Sequence, residues 1–205
     1  MTTTFDTADL KLVRTRDGLE IDLDVLQGAW TVDQYLKLTN STNRLIEFTD
    51  GYIEVLPMPT RKHQLISRFL FLALLTFVQR LGGTVFYAPL RLQLAAGRFR
   101  EPDLLLLVDK QDPRNQDAFW LGADLVVEIV SPDHPARDLV DKRRDYAAAS
   151  IPEYWIVTPL SDTITVLTLN GDAYAEHGVF VRGATATSVL LPGFEITVDA
   201  LFDAD

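Results

Sequence analysis

Two unbroken apolar runs, 104–108 (Leu-Leu-Leu-Leu-Val) and 125–127 (Leu-Val-Val), constrain this chain more than any other feature. Runs this short, rich in Leu and Val, read as strands buried on both faces in the middle of a sheet. Each is bounded by a carboxylate: Asp103 opens the first, in Glu101-Pro102-Asp103, and Glu128 closes the second, in Glu128-Ile129-Val130. An ionised carboxylate at such a place costs roughly several kcal/mol unless it is paired or holds a cation. A divalent metal ion would use both, with the Ile129 carbonyl as a third ligand, because hard cations take carboxylate and carbonyl oxygens plus water. The alternative is two strand-end carboxylates at the solvent edge, and the residue pattern leaves both open.

The 205 residues, 47% of them hydrophobic, suffice for one substantial core, so a single domain over 1–205 is the expectation. There is no cysteine, which removes disulfides, thiolate metal sites and cysteine nucleophiles and fits a reducing, cytoplasmic setting. The first residues lack the basic and apolar parts of a signal peptide. The longest apolar helix candidate, 69–78, is about half the length needed to cross a bilayer, so no membrane partner is expected. A net charge of −10 weighs against a broad electropositive nucleic-acid surface, though not against a metal and a few local cations meeting a phosphate.

Residues 1–28 read as a polar arm with one strand near 19–23. A capping box at Thr31 and Gln34 opens a short helix. Asp50-Gly51 between two alternating runs predicts a hairpin over 44–56. Thr60 caps a long helix that ends at Gly82-Gly83. Strands then alternate with a polar loop at 109–120 and a helix over 136–149, and the last third reads as β-structure with a short helix near 198–202. The order mixes parallel and antiparallel pairings, which predicts an α/β or α+β fold with a central mixed sheet.

Lys142 lies on the helix after the Glu128 strand, sharing one stripe with Asp138 and Tyr146 at i, i+4 and i+8. Laid back over the strand end, that stripe brings the ammonium towards Glu128 and Asp103. There it could orient a water or neutralise charge on a phosphate. The plainer alternative is an exposed Asp138–Lys142 pair contributing about 0.3–0.5 kcal/mol. A two-residue turn at Asp50-Gly51 sets Glu47 opposite Glu54, and facing carboxylates call for a positive neighbour: Lys142, Arg61, Lys62 or a cation. His63, in the first turn after Thr60, is placed to hydrogen-bond a carboxylate of the hairpin or bind an anion. His134 and His177 have no partner at ligand spacing.

Pro102-Asp103, Glu128-x-Val130, Asp138-x-x-x-Lys142-x-x-x-Tyr146 and Glu153-Tyr154-Trp155 together resemble the PD-(D/E)XK nuclease superfamily. The segments 46–51 and 59–63 bring the likeness closer to its bacterial restriction-endonuclease-like, Uma-type family. The resemblance implies an endonuclease-like core over 31–159 and a C-terminal β extension over 160–205. It further implies a Mg²⁺- or Mn²⁺-dependent phosphodiesterase acting on DNA, with Asp103, Glu128, Lys142 and Glu47 catalytic, Asp103, Glu128 and Ile129 on the metal, and His63, Glu54, Asp138 and Tyr146 around the pocket. The superfamily lysine would stand at Val130, so Lys142 would have to replace it from the next helix. A catalytically inactive binding or assembly module on the same fold is the competing expectation. Trp120, Phe180, Phe194 and Phe202, apolar residues outside the recognisable core, together with the two-fold habit of duplex-cutting nucleases, suggest a homodimer.

Overall fold

A computed structural model describes residues 11–14, 16–131 and 136–205, so His134 and the first ten residues lie outside the described part. In chain order the elements are β1 (Lys11–Arg14), β2 (Leu19–Asp22), α1 (Val32–Thr39), β3 (Ile46–Thr49), β4 (Tyr52–Val55), α2 (Arg61–Val78), β5 (Thr84–Tyr87), β6 (Leu92–Ala95) and β7 (Arg98–Arg100). They continue with β8 (Leu104–Leu107), β9 (Leu125–Ile129), α3 (Lys142–Ala148), β10 (Glu153–Thr158), β11 (Thr163–Asn170), β12 (Ala173–Phe180), β13 (Thr185–Thr187), β14 (Glu195–Thr197) and α4 (Val198–Phe202). The chain divides into two compact units, Met1–Met58 with Ala95–Glu101, and Pro59–Leu94 with Pro102–Asp205.

In the first unit β3 pairs antiparallel with both β4 and β7. The hairpin turn has Asp50 at φ 48° and Gly51 at φ 91°, both left-handed, the conformation that Asp-Gly favours. A Cβ on Gly51 would meet the Gly28 carbonyl oxygen at 2.6 Å, so no other residue fits there. Thr31 and Gln34 form the expected capping box at the start of α1. That helix inserts Tyr35, fully buried, against Phe48 and Phe99 at ring-centroid distances of 5.1 and 5.3 Å.

The second unit is built on a six-stranded mixed sheet in the order β12-β11-β10-β9-β8-β5. The two apolar runs become β8 and β9, antiparallel neighbours near its centre, and α3 lies in the crossover to β10, which is parallel to β9. Alternation distributes their side chains to two cores. Leu104, Leu106, Val127 and Ile129 pack with Ile66, Leu70 and Leu74 of α2 and with Val198 and Leu201 of α4. Leu105, Leu107, Val126 and Val130 pack with Tyr146 and Ala147 of α3 and with Trp120. Helices on both faces of β8 and β9 explain why these strands carry no polar alternation. The architecture is the mixed-sheet, helix-flanked α+β class that the sequence predicts.

Two expectations need correction. Trp120, Phe194 and Phe202 are buried within the chain and Phe180 packs against its core, so these residues supply no argument for a dimer. The Arg61–Leu81 helical stretch is also longer than the 69–78 window and is long and apolar enough, by length and composition, to cross a membrane. In this fold it is a core helix: Ile66, Leu70, Leu74 and Val78 form a buried stripe on the sheet.

Glu153, at the start of β10, is buried and satisfied by fixed donors. It accepts hydrogen bonds from Trp155 Nε1 (2.6 Å), Ser188 Oγ (2.6 Å), Val189 N (2.8 Å) and Leu190 N (2.7 Å). It therefore ties the turn after β13 to the sheet. Glu153→Ala should lower unfolding free energy by about 2–4 kcal/mol, because several inward-facing donors lose their acceptor together. Urea denaturation measures this.

Candidate functional site

The paired register of β8 and β9 ends with Leu104 opposite Val127; Asp103 lies at the bend just before β8, and Glu128 follows Val127 in β9. Glu128 belongs to the β9 face that α3 covers, beside Val126 and Val130. Its two oxygens meet two α3 side chains: Lys142 Nζ lies 2.9 Å from Oε2, and the Tyr146 hydroxyl donates a short hydrogen bond to Oε1. Lys142 Nζ is also 3.2 Å from Asp138 Oδ1. Residue exposures of 3% for Glu128, 2% for Asp138 and 2% for Lys142 place the whole triad out of water.

The helix that delivers these groups is irregular. Residues Arg137–Asp141 form a π-helical stretch, closed by a Lys142 N–H to Arg137 carbonyl bond, before regular α-helix begins at Lys142. The helix expected over 136–149 is present over 136–148, with a wider first turn. Asp138 faces inward within that turn, and its carbonyl accepts a 2.9 Å hydrogen bond from the Tyr154 hydroxyl of β10. Single widened turns of this kind occur frequently at functional sites.

Asp103 is held by two donors. Its Oδ2 accepts from the Ile129 N–H at 2.7 Å, and its Oδ1 lies 3.1 Å from His63 Nε2. His63 owes its place to the Thr60 cap, whose hydroxyl accepts from the His63 N–H at 3.2 Å. The expectation that His63 reaches a carboxylate holds, but its partner is Asp103 and not a hairpin residue. Burial first, and then the nearby charges of Glu128, Asp138 and Asp103, push the Tyr154 phenol well above its usual range.

Glu47 and Glu54 do face each other across β3 and β4, as the turn predicts. The positive neighbour is Arg100, which none of the expected cations anticipated. Its Nη1 is 3.0 Å from Glu47 Oε2, while the Glu101 N–H donates to Oε1 at 3.3 Å. The β3–β7 register, Phe48 opposite Phe99, puts Arg100 across from Glu47. Glu47 is fully buried within the first unit, and Glu54 is partly buried there. Arg100 stands in Arg98-Phe99-Arg100, whose alternation marks a strand, but no local signal says which strand it pairs with.

The model of the Uma2 family, described as a putative restriction endonuclease, matches residues 32–199. The chain belongs to this family. Its fold is similar to the crystal structure of a putative nuclease belonging to DUF820 from Anabaena variabilis, with a TM-score of 0.71 and 22% sequence identity over 84% of this chain and 97% of that one. No curated protein matches the chain at a significant level. The Uma2 membership agrees with the restriction-endonuclease-like resemblance and supports a nuclease-type function, and the shared fold agrees with the expected architecture.

Whether a divalent cation fits is a question of donor chemistry. Among the described residues no three of His, Asp and Glu cluster into a ready cage. A small hard ion does not need one, since Mg²⁺ is commonly held by one or two carboxylates and keeps several waters. Asp103, just before β8, and Glu128, in β9 with the Ile129 carbonyl next to it in sequence, are two carboxylates of that kind.

Two outcomes follow from this burial. The sequence allowed Lys142 to be an exposed pair of small effect, but its removal leaves Glu128 and Asp138 charged and buried. Lys142→Ala should therefore destabilise by about 3–5 kcal/mol, read by urea or thermal unfolding. Tyr154 titrates higher in the folded than in the unfolded chain, so its stabilisation is complete below the unfolded value near pH 10 and is lost as pH rises through the folded value. Unfolding free energy should fall above about pH 10 by up to about 1.4 kcal/mol per pH unit, less steeply in Tyr154→Phe.

Proposed function

We propose that the second unit carries a divalent-metal-dependent phosphodiesterase site that acts on DNA. The observation that supports it most is the burial of Lys142 against Glu128. Val130, where the superfamily pattern would have a lysine, is a buried apolar residue on the same face of β9, and Lys142 brings an ammonium to that strand end from α3. Asp103, Glu128 and the Ile129 carbonyl would hold Mg²⁺ or Mn²⁺. Such an ion would supply a more acidic bound water and a counter-charge for the phosphate.

The side chains have separate tasks in this reading. The Ile129 N–H and His63 orient Asp103, and Tyr146 orients Glu128. Lys142, between Glu128 and Asp138, presents a positive charge where negative charge develops on the phosphate. Glu47, bound to Arg100 within the first unit, is left out of this set.

One observation favours a second reading, a nuclease fold that only binds. Both Glu128 oxygens already have donors, as a closed structural ion pair would. The two readings separate in a cleavage assay on plasmid and single-stranded DNA with Mg²⁺ or Mn²⁺. Asp103→Asn is the decisive variant, since its amide oxygen still accepts from Ile129 N–H and Asp103 is not part of the buried triad. Cleavage by wild type that falls about 10²–10³-fold or more in Asp103→Asn, with unchanged melting, supports catalysis. Cleavage by neither favours the binding module, and equal cleavage in both removes Asp103 from the site.

A further inference from the structure

An open groove of about 640 Å³ runs along β5, the last strand of the six-stranded sheet, and adjoins the strand end that carries Asp103. Tyr87 pairs with Leu104, and the next N–H, of Ala88, donates to the Asp103 carbonyl at 3.3 Å. The groove is lined by Phe71, Phe86, Tyr87, Pro89, Arg91 and Asp117, among others. Phe86 and Tyr87 are 43% and 55% exposed, unusual for large rings in a chain with two well-filled cores. Each ring meets a perpendicular neighbour: Phe86 packs on Trp120 at 5.5 Å and Tyr87 on Phe71 at 4.9 Å. Such packing restrains each ring, so that binding to it would order little more of the protein.

We propose that this groove receives an unpaired base of the nucleic acid whose backbone lies at Asp103, with Tyr87 as the stacking platform. This makes single-stranded DNA, or a duplex opened at the cleavage point, the preferred substrate, and it rests on the phosphodiesterase reading above. The charge balance argues the same way. A chain of net charge −10 gains little from phosphate neutralisation along a duplex, and Arg91 in the groove is accompanied by Asp117. Affinity must then come from contacts that do not depend on charge. Base–aromatic stacking supplies about 1–3 kcal/mol per base and works with any sequence.

The test is fluorescence anisotropy with a labelled single-stranded 12-mer and its duplex, in EDTA, for wild type, Tyr87→Ala, Tyr87→Trp and Asp103→Asn, with light scattering on the same samples. The single strand should bind wild type more tightly than the duplex, and Tyr87→Ala should weaken it about 5- to 150-fold, the equivalent of one stacked base. Tyr87→Trp should retain binding. An oligonucleotide with abasic positions should bind wild type as weakly as the intact strand binds Tyr87→Ala. Because Tyr87 is half exposed, the variants should melt like wild type, which makes the comparison interpretable. Equal binding of the single strand by wild type and Tyr87→Ala would overturn the proposal. So would duplex preference, or a wild-type dimer that Tyr87→Ala converts to monomer, which would assign the groove to a second copy. The two readings fail separately: no cleavage by wild type, with single-strand binding that still depends on Tyr87, removes the phosphodiesterase site and leaves the groove. Cleavage lost in Asp103→Asn but untouched in Tyr87→Ala, with unchanged binding, removes the groove and leaves the site.

Discussion

A charge taken out of water has to find its opposite, and in the second unit that requirement is met at Lys142. Its ammonium sits between Glu128 and Asp138, all three nearly inaccessible. No one of them could be buried alone, since each isolated ion would lose several kcal/mol, roughly, of hydration. The path of the chain after β9 is therefore constrained. Helix α3 must return over the strand end closely enough for a lysine to reach Glu128, and the wide turn at Arg137–Asp141 lets Asp138 face inward as well. Tyr146 and Tyr154 then fill the remaining acceptor sites on Glu128 and on the Asp138 backbone. Fold and candidate chemistry share one set of contacts.

Glu153 and Glu128 show how two buried carboxylates on neighbouring strands acquire different characters. Glu153 is met by neutral donors, two of them backbone N–H groups. Its environment is that of a clasp. Glu128 is met by an ammonium and a phenol, both on side chains, with two further carboxylates close enough to perturb Tyr154. Carboxylates held by neighbouring cations, Arg137 Nε lying 3.8 Å from Asp138 Oδ1 as well, form the kind of buried charge cluster that gathers at functional sites.

Much of this was legible in the sequence wherever the signal was local. The runs at 104–108 and 125–127 specify buried strands, Asp50-Gly51 specifies its hairpin and the Glu47–Glu54 register, and Thr31 and Thr60 mark two helix starts. The i, i+4, i+8 stripe of Asp138, Lys142 and Tyr146 pointed to one face of one helix, and two of its contacts meet Glu128. What stayed hidden depended on long-range pairing. Arg100 opposite Glu47 follows from β7 joining β3, fifty residues away in sequence, and nothing near Arg100 specifies that partner. Burial was hidden for the same reason: spacing shows that Asp138 and Lys142 can pair, but only the packing of α3 on β9 makes the pair costly to break. The π-helical turn has no composition signal, because it answers to Tyr154 and Glu128 and not to its own residues.

The acidity of the chain is the constraint that any functional account has to satisfy. A net charge of −10 makes a long phosphate backbone a poor partner in general, so productive binding must be confined to where the field is locally reversed. Lys142 provides one such point, but its charge is already balanced by two carboxylates within 3.2 Å. A phosphate would therefore meet a net negative centre unless a divalent cation joined Asp103 and Glu128. In the proposed reading the site and a metal ion are interdependent: without the ion the carboxylates would repel the substrate, and with it the same carboxylates would hold the ion. Stacking beside Asp103 complements that arrangement, because it contributes affinity that neither depends on the cation nor is opposed by the surrounding negative charge.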